Sequence, residues 1–107
     1  MNVDVRFKKL DHSENLVDYI NEKVEKLSMY CRGHVHVHFD ISKQGRKMIT
    51  EINFSTKLNN YHAQASADNF YSSVDQALNK ILRQVKKHRQ KLRMHKNYAM
   101  NHERDAA

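Results

Sequence analysis

Basic side chains concentrated near the carboxyl end of the chain are the feature of the sequence best suited to binding chemistry. The chain carries a net charge of +7, and residues 70–96 hold eight lysines and arginines against one acidic residue, Asp75. Residues 1–69 are nearly balanced, with ten basic and nine acidic side chains. Localised charge of this kind favours a polyanionic partner, most commonly phosphate. The alternative is a solvated helix face that only keeps the protein soluble, and charge alone does not separate the two.

The spacing of these basic residues favours a polyanionic partner over a merely solvated helix face. Most of them follow one another at intervals of three or four, which places them in two neighbouring rows on one side of a helix. Like charges at this spacing slightly destabilise an isolated helix, so we expect the surface to meet a polyanion. Lysine and arginine on a rigid rod suit contact with RNA phosphates. The predicted RNA-binding residues of this helix are Lys80, Arg83, Gln84, Lys86, Lys87, Arg89 and Lys91.

Alternating histidines offer a second kind of chemistry. His34, His36 and His38 would present their imidazoles on one face of a strand, a geometry that can bind zinc, with Asp40 or His62 as a further ligand. The outer two histidines would lie about 13 Å apart, too far to share one ion, so at most two neighbours could chelate. We therefore expect no metal site and no cofactor.

No residue pattern indicates catalysis. The two glycines, Gly33 and Gly45, are isolated, so there is no phosphate-binding loop. Arg32 could lower the pKa of the neighbouring Cys31 thiol, but no nucleophile and base can be paired from the sequence. We predict no enzyme activity, no catalytic residue and no small-molecule substrate. Four aromatic residues could stack on bases but are better explained as core or edge positions: Tyr30, Tyr61, Phe70 and Tyr71.

Length and composition limit the class of protein. A chain of 107 residues suits a single domain with a thin core, which favours a surface function over a deep cavity. It has one cysteine, so no disulfide within the chain, and no stretch near the ~20 apolar residues of a membrane span. The first residues lack the charged start and apolar run of a signal peptide. We expect a soluble cytoplasmic protein that does not bind membranes.

The elements that position these residues follow from apolar periodicity. Segment 2–7 alternates apolar and polar residues, as in a strand buried on one face. A helix follows, with Asp11 or Ser13 as its cap and Gly33 at its end. Its apolar stripe falls on Leu16, Ile20, Val24 and Leu27.

Three further strands are predicted over 34–42, 50–58 and 61–67, with turns at Gly45 and at residues 59–60. Short turns make these three strands antiparallel, whereas a helical crossover makes the first strand parallel to its neighbour. Each strand has one apolar face, so both helices should cover that face. The sequence predicts an α+β fold: a β-α-β-β-β-α two-layer sandwich, with a four-stranded sheet and two helices packed on one face.

The last helix is predicted to run from Phe70 to about His95, capped by Asp68 or Asn69. Within it, residues 69–75 (NFYSSVD) and 79–88 (NKILRQVKKH) resemble the signature of the ribosome hibernation promoting factors, which include the ribosome-associated inhibitor A proteins. The family pattern there is roughly D-x-Y-x-A-I-D and then D-K-L-x-R-Q-L-x-K-x-K.

Further likeness lies outside the last helix. Segments 21–27 and 62–67 resemble the family's first helix ending and last strand, whereas segment 6–10 departs from its opening pattern. The resemblance implies a protein that binds the small ribosomal subunit and its RNA, in the channel shared by messenger RNA and transfer RNA, and so keeps idle ribosomes inactive. The basic positions it implies are Lys23 and Lys26 on the first helix, and Lys80, Arg83, Lys87 and Arg89 on the second.

The resemblance also divides the chain. We expect a ribosome-binding domain over 1–95 and a short tail over 96–107 whose mixed charge is compatible with disorder. Long family members carry a second, dimerising domain, so this chain corresponds to the short form and is expected to be monomeric off the ribosome. Two alternatives stay open: a generic double-stranded-RNA-binding module, and a metal-dependent enzyme built on the three histidines.

Overall fold

The predicted order of elements is confirmed. The computed structural model describes the backbone of residues 1–31 and 33–106 and the side chains of residues 1–31 and 33–89. Four strands and two helices follow in the order β-α-β-β-β-α. They are β1 (Asn2–Phe7), α1 (Glu14–Ser28), β2 (His36–Gln44), β3 (Lys47–Ser55), β4 (Asn60–Ala67) and α2 (Phe70–Ala106).

The four strands form one sheet in the order β1-β2-β3-β4. β1 pairs parallel with β2, as the helical crossover between them requires, and the other two pairs are antiparallel. The register places Val5 beside Phe39 and Phe39 beside Ile52, so that apolar residues line up across one face of the sheet. The polar residues at alternate positions consequently form the open face.

Both helices lie against the apolar face, which makes the two-layer sandwich. Phe39, Ile52 and Phe54 are completely buried beneath them. On β4 the inward residues are alanines, which are small enough to let α2 pack closely over β3 and β4. The helices bury their apolar stripes on the same core, through Ile20 and Val24 on α1 and through Val74, Ala77, Ile81 and Val85 on α2.

α1 begins where the sequence predicts and ends earlier. The hydroxyl of Ser13 accepts a hydrogen bond from the Leu16 amide, so Ser13 is the cap. The helix ends at Ser28 rather than at Gly33, because Leu27 is its last buried position and tight turns follow, with the Tyr30 amide donating to the Leu27 carbonyl. Gly33, with φ +85°, lies instead in the loop that leads to β2.

The two hairpin turns differ in how well the sequence predicts them. Gly45 takes φ +60° between β2 and β3, as expected of a turn glycine. The second turn occupies residues 56–59 rather than 59–60, because the Thr56 amide donates to the Asn59 carbonyl and the Thr56 hydroxyl accepts from the Asn59 amide. The prediction that strand β3 continues to Leu58 is wrong, since that side chain is 86% exposed in the turn.

α2 is longer than the sequence predicts. The side chain of Asn69 accepts a hydrogen bond from the Ser72 amide and caps the helix. The backbone remains helical to Ala106 rather than ending near His95, because no glycine or proline interrupts the sequence after residue 69. The division into a domain over 1–95 and a tail over 96–107 stays a prediction.

Within the described part of the chain, no helix is both long enough and apolar enough to cross a membrane.

One polar contact is completely buried in the core. The hydroxyls of Thr50 on β3 and Ser73 on α2 lie 2.7 Å apart, and both residues are fully buried. The Ser73 hydroxyl donates its proton to the Phe70 carbonyl at 3.0 Å, so the Thr50 hydroxyl must be the donor between the pair. The contact fixes the first turn of α2 on the sheet.

We expect Ser73→Ala to lower the free energy of unfolding by about 1–3 kcal/mol, because it leaves the Thr50 hydroxyl buried without a partner. Adding Thr50→Val to the same chain should recover most of this loss, since the orphaned hydroxyl is then removed. Urea unfolding of the two single variants and the double variant measures the coupling. Losses that simply add would show that the two hydroxyls do not depend on each other.

Candidate nucleic-acid interface

The outward row of basic residues on α2 is exposed to solvent. Val74, Ile81 and Val85 face the sheet, which leaves the opposite side of the helix free. Arg83 and Lys87 lie on that side, and neither makes a hydrogen bond or ion pair with another side chain among the described residues. Their charges are therefore available to a partner.

Two other members of the predicted set make contacts within the molecule. The Lys80 ammonium donates to the Gln64 carbonyl at 2.7 Å, and the Gln84 amide donates to the His62 carbonyl at 2.8 Å. Both carbonyls belong to β4, an edge strand whose outward backbone groups would otherwise be free to pair with another chain. Lys80 and Gln84 thus cover the edge of the sheet, a role that the sequence pattern does not reveal.

The second basic row lies toward α1. The Lys86 ammonium sits 5.2 Å from the centre of the Tyr30 ring, a cation–π contact with the loop that follows α1. Arg89 borders a hollow shared with Cys31, Tyr61 and His88. Lys91 belongs to the backbone of α2, but its side chain lies outside the described residues.

The lowered thiol pKa considered for Cys31 is wrong. Burial raises the pKa of this thiol above its usual value, and the nearby charge of Arg89 offsets that effect only in part. A thiol kept protonated is a poor nucleophile, so Cys31 behaves as a half-buried packing residue.

The lysines of α1 face the same region as those of α2. Lys23 and Lys26 border an interhelical groove whose other side is formed by Asp75 and Asn79 of α2. The Lys23 ammonium lies 5.3 Å from the centre of the Tyr19 ring, which holds it beside the groove. The fold therefore brings the basic residues of both helices to the side of the molecule opposite the open sheet face.

Among the side chains of residues 1–31 and 33–89, one hydrogen bond joins the two helices at this groove. The Tyr19 hydroxyl donates to the Asp75 carboxylate at 2.6 Å, and Tyr71 packs edge-on against the Tyr19 ring at 5.0 Å between centres. This bond, with burial, raises the pKa of Tyr19 to about 12. Asp75, the one acidic residue in the basic segment, thus has a structural role, which the sequence does not disclose because its partner is 56 residues away.

His36 and His38 lie on the open face of the sheet, paired with carboxylates, whereas His34 lies in the loop before β2, which begins at His36 rather than at residue 34. His36 lies 3.0 Å from Asp4, and His38 lies 3.1 Å from Asp40. The same Asp40 carboxylate also lies 3.6 Å from Arg6 and from Lys8. Over residues 1–31 and 33–89, no three histidine, cysteine or acidic side chains gather as a metal site would need.

Comparison with known proteins identifies relatives for this arrangement. A family model described as Sigma 54 modulation protein / S30EA ribosomal protein matches residues 3–93. A ribosome-associated factor Y from Haemophilus influenzae is 24% identical over 81% of this chain and 81% of its own length. A ribosome hibernation promoting factor from Klebsiella oxytoca is 26% identical over 73% of this chain and 82% of its own length.

Two solved structures share the fold. The N-terminal domain of Thermus thermophilus Protein Y superposes with a TM-score of 0.77 at 22% identity, covering 82% of this chain and 99% of that one. A ribosomal subunit interface protein from Coxiella burnetii gives a TM-score of 0.74 at 20% identity, covering 84% and 99%. At this level of identity the likeness establishes the fold alone.

The bond between Tyr19 and Asp75 predicts a late-ionising phenol. Because the folded-state pKa is raised from 10.0 to about 12, the contribution of the bond to stability is complete below about pH 10 and is lost as the pH rises through about 12. In an ultraviolet titration of the wild type the Tyr19 phenol should ionise near pH 12, a step that Tyr19→Phe should lose. Asp75→Asn removes the negative charge and should move that transition toward pH 10. Titration curves of both variants that match that of the wild type would contradict the assignment.

Proposed function

Because the chain belongs to the Sigma 54 modulation protein / S30EA ribosomal protein family, as its resemblance to the ribosome hibernation promoting factors predicts, we propose that it is a ribosome-binding translation inhibitor. It binds the small ribosomal subunit in the cytoplasm and occupies the channel shared by messenger RNA and transfer RNA. Its inhibition is steric, because a protein held in that channel excludes both RNAs. Off the ribosome the protein is a monomer.

One observation carries this proposal. The exposed cations of α2 and the lysines of α1 lie on the same side of the molecule, so a single RNA surface can contact both helices. Arg83 and Lys87 make the outermost phosphate contacts, because their charges are exposed. Lys86 and Arg89 reach phosphates closer to α1, and Lys23 and Lys26 approach from the other side of the groove. Lys80 and Gln84 support the site by fixing α2 on the edge of the sheet.

A generic double-stranded-RNA-binding module remains the second candidate, because helices on one side of a small sheet can also read the shape of a duplex. Affinity for a free RNA duplex equal to that for small subunits would favour it. The metal-dependent enzyme is not carried forward, because the family to which the chain belongs consists of ribosome hibernation factors, which are not enzymes.

Reversal of two charges on α2 tests the proposal. Arg83→Glu combined with Lys87→Glu should abolish co-sedimentation with small subunits at physiological salt, because both side chains would then repel phosphate. In the wild type, affinity should fall linearly on a log–log plot against salt, by about 0.7 to 0.9 for each phosphate neutralised. Single neutral variants, Arg83→Gln or Lys87→Gln, should each reduce that slope by about 1.

The hairpin between β2 and β3 provides a matched control. Lys43→Glu with Arg46→Glu makes the same change in net charge at two exposed residues outside the helices. This control should bind as the wild type does, and circular dichroism should show intact helices in both double variants. Equal binding by the two double variants would show that net charge, rather than the α2 surface, drives association.

A further inference from the structure

The interhelical groove has a shape that phosphate contacts alone do not explain. It measures about 560 Å³, within the ~300–1,000 Å³ range of small-molecule sites. Buried Leu27 and Leu78 form its floor together with the half-buried Leu82. A surface that only met phosphates would have no use for an apolar hollow of this size between its two sets of cations.

Two exposed side chains that follow α1, Met29 and Tyr30, line the groove. Met29 is 78% exposed and Tyr30 is 38% exposed, although both follow directly after the last buried turn of α1. The Lys86 ammonium, 5.2 Å from the Tyr30 ring centre, holds the ring at this position. An aromatic ring that is fixed and accessible is a stacking platform for a base. The sequence pattern does not reveal this, because Tyr30 also suits a core position at the end of a helix.

The polar groups around the groove are placed to complement those of a nucleotide. Lys23 and Lys26 stand on one rim and can hold phosphates outside the groove. Asp75 and Asn79 stand on the other rim, where a carboxylate and an amide can accept from and donate to the edge of a base. A paired base within a duplex cannot enter, because it remains stacked between its neighbours, whereas an unpaired base can be splayed out and bound in this way.

We propose that the interhelical groove binds one unpaired nucleobase of RNA, stacked on Tyr30 above the leucine floor, with its flanking phosphates held by Lys23 and Lys26. The proposal rests on the proposed function, because the RNA is that of the small ribosomal subunit. It adds recognition of an unpaired base to an interface otherwise made of phosphate contacts.

Chemical probing of isolated small subunits tests this directly. Subunits saturated with the 107-residue chain are treated with dimethyl sulfate, kethoxal and a carbodiimide, which together modify the accessible edges of all four bases. The wild type should protect at least one unpaired base that becomes reactive again when Tyr30→Ala is bound at saturation. The affinity of that variant should be about 5- to 100-fold lower, the loss expected for one base–aromatic stack. Tyr30→Phe keeps the ring and should restore both the protection and the affinity.

Two further variants separate a local effect from a loss of folding. Asn79→Trp fills the groove from an exposed position and should expose the same base as Tyr30→Ala does. Leu58→Ala removes another exposed apolar side chain, 86% accessible, which does not line the groove, and should leave the base protected. Thermal melts followed by circular dichroism confirm that each variant is folded.

The possible results distinguish this proposal from the one on which it rests. Absence of wild-type binding to small subunits would overturn the proposed function and this proposal together. Normal binding with no base protected through Tyr30 would overturn this proposal alone. Weaker binding by Tyr30→Ala without any newly reactive base would also overturn it, because Tyr30 would then contribute to affinity without covering a base.

Discussion

The two-faced character of the sheet is the constraint on which the rest of the structure depends. Every strand alternates apolar and polar residues, so one face must be covered and the other can meet water. Both helices therefore lie on the same face and next to each other, with Tyr19 and Asp75 fixing their contact. Because each helix buries one stripe against the sheet, its remaining surface points outward on the same side of the molecule. The binding surface that we propose is built from two helices, and this packing places them side by side without any loop to position them.

The charge distribution follows the same division. Acidic residues of the open face are paired with histidine, arginine or lysine, so that face is mixed in charge, whereas the charged residues on the outward side of α2, as far as Arg89, are basic. Concentrated like charge destabilises a helix by itself, and burial of the opposite stripe of α2 in the core offsets this. Lys80 shows that position on a basic face does not fix the role of a residue: its ammonium is bound to a backbone carbonyl of β4. The surface thus combines cations that hold the fold with cations that are free to bind.

Apolar periodicity predicts the order, the type and the layering of the elements, because burial of one face is a property that the sequence records locally. The errors in the predicted element boundaries arise where contacts of individual residues in the folded chain set the end of an element. α1 ends at Ser28 because its last buried residue is Leu27, and the second hairpin turns at residues 56–59 because Thr56 and Asn59 bond to each other. At the site, the basic rows are predictable from spacing. Partners distant in the sequence, such as Lys86 with Tyr30, are not. Ser73, which stands where the family commonly has alanine, is explained only by Thr50, its buried partner on β3.

We propose that the two helices, and not the open sheet face, bind ribosomal RNA in the channel of the small subunit. Electron cryomicroscopy of small subunits saturated with the protein tests this most directly. We expect density in the messenger RNA and transfer RNA channel, with α1 and the outward side of α2 against RNA and the histidine-bearing face of the sheet turned away. Density outside that channel, or with the sheet face against RNA, would contradict it.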